Sequence, residues 1–270
     1  MELDSQAQVL RGSLKPLADY TFDGRSLVPI LRNPNTRWPE RTIVPDSQRV
    51  RDPIKWRKSS TMTQRWRLIN GTELYDKKSD PGQKKDLANK HPEIVKKLRA
   101  DYEAWWADIS PVFKFDTRMI LGNPAENPSR LTCHDWLTKG KATPWHQRSI
   151  RDGHLDVEEW ALKVEKAGVY EITLRRWPET VNAAISGHVP AGLSVPGLRA
   201  YRETPGKSLD VITAGIKIGA IAEEKPVKAE DTGVTFTVEL SEGDVNLFGY
   251  FVLENGWKFG SYYADVKKLP

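Results

Sequence analysis

A chain of 270 residues, 39% apolar and 29% charged, is long enough for two hydrophobic cores and lies far from the composition of a disordered polymer. No run approaches the roughly 18 to 20 consecutive apolar residues needed to cross a bilayer, so no membrane is expected as a partner. Met1–Leu10 carries Glu2 and Asp4 and none of the apolar core of a secretory signal, which leaves the compartment unknown, and the single Cys133 excludes an internal disulfide framework and a multi-cysteine zinc site. The net charge of +5 is uneven. Residues 1–110 hold 21 Lys and Arg against 15 Asp and Glu, and residues 111–270 hold 20 against 21. Ten basic residues fall between Arg32 and Arg67, against Glu40, Asp46 and Asp52. Such a stretch is either a solvated strand face or a surface for anions; with acids interspersed and no motif beside it, nucleic acid is not an expected partner.

In chain order, the Asp-Gly pair of Asp23-Gly24-Arg25-Ser26-Leu27 reads as a turn, and the apolar residues after it as a short segment inserted into a core. Thr63–Leu68 and Thr72–Tyr75 are extended runs separated at Asn70-Gly71, a pair that tolerates the positive φ of a hairpin turn. Asp80-Pro81-Gly82 is a second turn, and Pro92 opens a helix whose Ile94, Leu98, Tyr102 and Trp105 share one face toward the hairpin. Residues 111–130, with Pro111, Pro124 and Pro128 and no periodicity, read as a linker. Beyond it come extended runs at Trp160–Val164, Val169–Trp177, Ile216–Ala222, Val234–Leu240, Val245–Leu253 and Tyr262–Val266, punctuated by Gly168, Gly243 and Gly256. The expected fold is α+β: a small antiparallel sheet with a packed helix over 1–110, then an all-β antiparallel sandwich over 131–270.

The residues Asp23-Gly24-Arg25-Ser26-Leu27-Val28-Pro29-Ile30-Leu31, then Trp66-Arg67-Leu68-Ile69, Glu73-Leu74-Tyr75-Asp76, Asp80-Pro81-Gly82 and Asp86-Leu87-Ala88, resemble the C-terminal subdomain of the arylsulfatase-type, formylglycine-dependent sulfatases over Phe22–Trp106. The runs Leu131–Trp136, Pro144–Gln147, Gly168–Tyr170 and Leu174–Pro178 are similar to an extension carried by some bacterial members. The resemblance implies a parent enzyme that hydrolyses sulfate esters with a formylglycine and calcium, in a family often periplasmic or secreted. The matched residues are architectural, so this chain is expected to be a C-terminal fragment with no catalytic residue, metal or cofactor of its own. Its implied partner is a missing N-terminal sulfatase catalytic domain.

No reacting group emerges from the residues themselves. The nearest echo of the C/S-x-P-S-R nucleophile motif is Pro128-Ser129-Arg130, where Glu126 stands at the nucleophile position; a carboxylate cannot become the aldehyde. Cys133 is followed by His134, Asp135 and Trp136 rather than by the motif, and neighbours Cys133 and His134 on a strand would point to opposite faces. A metal site from His134, Asp135, His146 and His154 matches no ligand spacing. His134, Asp135, Trp136, Trp145, His146 and Gln147 are the candidate substrate-binding residues, since Trp faces stack on sugar rings while polar neighbours bond hydroxyls or a sulfate; they serve equally to fasten the sandwich down. Arg175-Arg176-Trp177 sends one arginine inward, where it needs a carboxylate. Two readings therefore compete: a sulfatase fragment that shapes a substrate rim, and a free-standing carbohydrate-binding β-sandwich taking sulfated or neutral glycans.

Overall fold

The computed structural model describes residues 24–48, 50–138, 144, 146–193 and 204–270. Asp23, which opens the first turn expected above, and Trp145 lie outside the described residues. The chain divides into two units: the described residues up to Asp46 with Lys58–Trp105, and Ser47–Arg57 with Trp106–Pro270.

In the first unit three strands, β1 (Ser60–Met62), β2 (Trp66–Ile69) and β3 (Glu73–Asp76), form an antiparallel sheet in chain order. The β2–β3 hairpin closes at Asn70 and Gly71, with φ of 48° and 73°, and the Thr72 N–H donates to the Ile69 carbonyl at 2.9 Å. This is the left-handed geometry that Asn-Gly permits. The helix α2 (Pro92–Ile109) follows a shorter one, α1 (Val28–Arg32), and buries Leu98 and Tyr102. Leu98 joins Leu68 and Leu74 in a small core, with Ile94 and Val95 packed against it.

Three acids of the sulfatase-like runs, Asp76, Asp80 and Asp86, accept backbone N–H groups in this unit. Asp86 accepts the N–H groups of Leu74 and Ala88, each at 2.9 Å, and Asp80 accepts those of Lys84 and Lys85 at 2.7 and 2.9 Å. Asp76 accepts Arg65 at 2.8 Å and the Lys78 N–H at 3.0 Å. One expectation fails here. Val28–Arg32 forms a helix with no buried residue rather than a segment inserted into a core, because Pro29 is pre-set for a helical first turn.

The second unit is built on two sheets. One runs β10 (Val234–Leu240), β7 (Gly168–Arg175), β13 (Tyr263–Lys268), β5 (Ser129–Thr132). The other runs β4 (Met119–Leu121), β6 (Glu159–Val164), β11 (Gly243–Leu253), β8 (Val211–Ile218), β9 (Ile221–Pro226), with β12 (Lys258–Gly260) also on β11. Burial alternates along β10, as a sheet with one face on a core requires. The two inner faces share one core that includes Trp160, Leu162, Ile172, Leu174, Ile216, Phe236 and Phe251. They approach closely at Gly249 of β11, where a Cβ would stand 2.8 Å from a Leu174 methyl of β7; the spacing there requires glycine.

Three expectations change. The stretch 111–130 holds β4 and the start of β5 rather than a plain linker; its prolines flank the strands without entering the ladder, and the Asn127–Pro128 bond is cis. Within it, the Pro128-Ser129-Arg130 echo leads into β5, and the Ser129 hydroxyl donates to backbone carbonyls. The sheet containing β4 is mixed rather than all antiparallel, because β4 pairs parallel to β6. The run Ile216–Ala222 is two strands that reverse at Gly219, φ 58°. Among the described helices none is long and apolar enough to cross a membrane.

Candidate functional site

Of the expected substrate-binding residues, His134 and Asp135 are exposed, and Asp135 accepts the Thr132 hydroxyl at 2.8 Å. His146 is half-buried, and the exposed Gln147 accepts Arg151 Nε at 3.0 Å through its Oε1. Trp136 cannot stack on a ligand. It is 4% exposed, with its ring against Trp160 and Tyr262 and over Gly260. It packs because the sheet edge offers a glycine-floored slot that only a large flat side chain fills.

Cys133 is buried, with its sulfur 3.9 Å from the Pro144 carbonyl, and burial pushes its thiol up to about 12. At neutral pH it is a thiol, the unreactive form. Among the described residues no three His, Cys, Asp or Glu side chains converge as a metal site would need. The His154 Nε2 and Asp156 Oδ2 stand 2.6 Å apart.

The inward arginine is Arg176, fully buried, and its partners are not a carboxylate. It donates to the carbonyls of Ile185, Gly187 and Lys207 at 3.2, 3.1 and 2.6 Å and lies 4.4 Å from the Trp177 ring centre. Desolvation draws its pKa down to about 10. Arg175, facing out, pairs with Asp265 at 2.9 Å.

The outer faces of the two sheets differ in chemistry. On the β10-β7-β13-β5 sheet the polar groups satisfy one another: Arg130 and Arg175 both pair with Asp265, Arg130 also with Glu179, and the hydroxyls of Thr173 and Thr235 meet at 2.8 Å. That pattern belongs to a solvated surface.

The opposite outer face presents Asp244, Asn246, Phe248 and Tyr250 in alternation along β11. Phe248 stands in register with Glu159 of β6 on one side and Lys217 of β8 on the other, which puts both within a cross-strand contact of the ring, about 5 Å between Cβ atoms. Neither Glu159 nor Lys217 has a side-chain partner among the described residues. With Gly219, Asp244, Val245 and Asn246 they line an open groove of about 580 Å³.

One end of the groove is fixed by Arg118. Its guanidinium bonds Asp244 at 2.9 Å, the Asn246 side-chain oxygen at 2.9 Å, and the carbonyls of Leu162 and Val245. With its oxygen committed to a cation, the Asn246 carboxamide keeps both N–H donors for a ligand. Next to Phe248, at 5.7 Å between ring centres, Tyr250 lies over Gly215, where a Cβ would stand 2.3 Å from the ring. Its hydroxyl donates to Glu224 at 2.7 Å, and Lys258 stands 4.4 Å over the ring. Burial, then the Glu224 bond, pushes the Tyr250 phenol up to about 12, so it remains a donor at neutral pH.

Glu159, Phe248 and Lys217 come from three strands, and their grouping depends on register, which the sequence alone did not supply. The available signal was the aromatic pair Phe248 and Tyr250 at the outward positions of a strand whose inward positions were already apolar.

No family model matches the chain, and no curated protein does. Solved structures give partial likenesses. A ruminal GH26 endo-β-1,4-mannanase is similar over 53% of this chain and 26% of its own, at 15% identity and a TM-score of 0.30. The C-terminal CBM6 of a laminarinase from Zobellia galactanivorans is similar over 53% of this chain and all of its own, at 13% and 0.28. The GH26-CBM35 β-1,4-mannanase of Podospora anserina is similar over 54% and 28%, at 14% and 0.28. The chain thus spans about a quarter of each mannanase, and at TM-scores this low no argument about fold or ligand follows.

Proposed function

We propose that the second unit is a carbohydrate-binding β-sandwich module, and that it holds a glycan on the outer face of β6, β11 and β8. The observation that carries this reading is Phe248 flanked in register by the unpaired Glu159 and Lys217 over an open groove. A sugar ring has an apolar C–H face and an equatorial rim of hydroxyls. The Phe248 face suits the first, while the Glu159 carboxylate, the Lys217 ammonium and the Asn246 donors suit the second. An open groove on a sheet face lets a polymer pass through, where a closed pocket would admit only a chain end.

Affinity electrophoresis of the purified chain in gels containing a panel of soluble polysaccharides tests this. Retardation by at least one polysaccharide is expected, and Phe248→Ala is expected to abolish it with the melting temperature kept. Retardation unchanged by Phe248→Ala would remove the groove as the site.

A second reading attaches to the first unit. There a three-stranded sheet has Leu98 of α2 packed on Leu68 and Leu74, and the sulfatase resemblance attaches to these same segments. It supports a structural role beside a sulfatase catalytic domain, which would bring the formylglycine and the calcium. On this reading the chain alone turns over no aryl sulfate, and metal-dependent release of the chromogenic phenol would contradict it.

A further inference from the structure

We infer that the groove takes uncharged glycans in preference to sulfated or uronate-bearing ones, and that Glu159 sets the preference; this rests on the glycan reading of the groove given above. A site for a sulfate or carboxylate is built from guanidinium forks or ammonium groups whose donors are unspent. Here the cations are spent or opposed.

Arg118 commits Nη1 to Asn246 and two backbone carbonyls and Nε to Asp244, whose carboxylate offsets its charge. Lys258 lies 3.8 Å from Glu224 and over the Tyr250 ring, and Lys163 stands opposite Asp244 in register. Lys217 is left, and Glu159 faces it across the Phe248 ring. An anionic substituent drawn to Lys217 would therefore face a carboxylate across β11, two strand spacings or about 10 Å away. That separation is close to the Debye length at physiological salt, so the repulsion across the open groove is only partly screened.

For a neutral sugar the same pair is an asset. Glu159 accepts hydroxyl hydrogens on one side of the ring, and Lys217 and Asn246 donate on the other. The sulfated ligand that the sulfatase resemblance suggests for the parent enzyme is thus disfavoured at this face.

The test uses the full chain, a neutral polysaccharide that retards it, and the chemically sulfated derivative of the same backbone, titrated calorimetrically at physiological salt. The neutral form is expected to bind at least about tenfold more tightly, the factor that about 1.4 kcal/mol produces. Glu159→Gln, which keeps an acceptor and removes the charge, is expected to shrink that ratio severalfold. Equal or tighter binding of the sulfated form by the unaltered chain would overturn the inference while leaving the glycan reading standing, as would a ratio unmoved by Glu159→Gln. Absence of binding to any neutral or sulfated polysaccharide would remove both.

Discussion

Replacing Arg176 by methionine gives the most quantitative probe of how the second unit is held together. The side chain is fully buried and bridges the carbonyls of Ile185, Gly187 and Lys207, and its Nε has no partner among the described residues. Desolvation lowers its pKa from the ordinary guanidinium range to about 10, which corresponds to a cost to the charged form of about 3 kcal/mol at about 1.4 per unit. Methionine removes that penalty and keeps the packing on Trp177, but it strands three carbonyls at about 2 kcal/mol each. The balance is a net loss of about 3 kcal/mol. In a unit of this size that lowers the melting temperature by about 6–12 °C. Differential scanning calorimetry of the chain and Arg176→Met decides it. A variant as stable as the parent, or more so, would mean that the carbonyls find other donors and that the buried cation is a plain cost, the outcome seen when buried ion pairs are exchanged for apolar residues.

Two further outcomes are expected. Arg65, followed by the backbone N–H groups of Lys78 and Ser79, holds the Asp76 carboxyl well below the usual carboxylate range, against the opposing effect of burial. A depressed carboxylate stabilises the fold above its unfolded pKa near 4 and loses that contribution as pH falls, so Asp76→Asn should be less stable than the parent at pH 7 and the gap should narrow below about pH 4; urea melts with a gap constant from pH 7 to 3 would refute this. Cys133, with its thiol pushed up to about 12 by burial, should resist iodoacetamide at pH 8 while folded and react once unfolded, whereas rapid alkylation of the folded chain would contradict the burial.

What the sequence disclosed was local. Asn70-Gly71 identified its hairpin because two consecutive positive φ values admit few residue pairs, and the spacing of Ile94, Leu98 and Tyr102 identified α2 because the helical period is written along the chain. The strand Val234–Leu240 was readable end to end for the same reason, an unbroken period of two. Short strands were not: Met119–Leu121 lies among prolines and earns its place by parallel pairing with β6, a long-range choice that no local pattern encodes. Trp136 was ambiguous in the sequence because Trp serves cores and ligand sites with the same face. Trp136 fills a slot over Gly260, while the ring at the groove is Phe248. That Glu159 and Lys217 flank Phe248 depends on the register of three strands, with the β6 and β8 positions 58 apart in sequence, and register is fixed by the whole core.

The groove's role is tested most directly by where a bound glycan perturbs the protein. Amide chemical-shift mapping on the labelled chain, titrated with an oligosaccharide of a retarding polysaccharide, should move Glu159, Lys217, Asn246 and Phe248 together and leave Thr173, Thr235 and Asp265 of the opposite sheet still. Shifts confined to the opposite sheet, or to His134, Asp135 and Gln147, would place the ligand elsewhere and contradict the account.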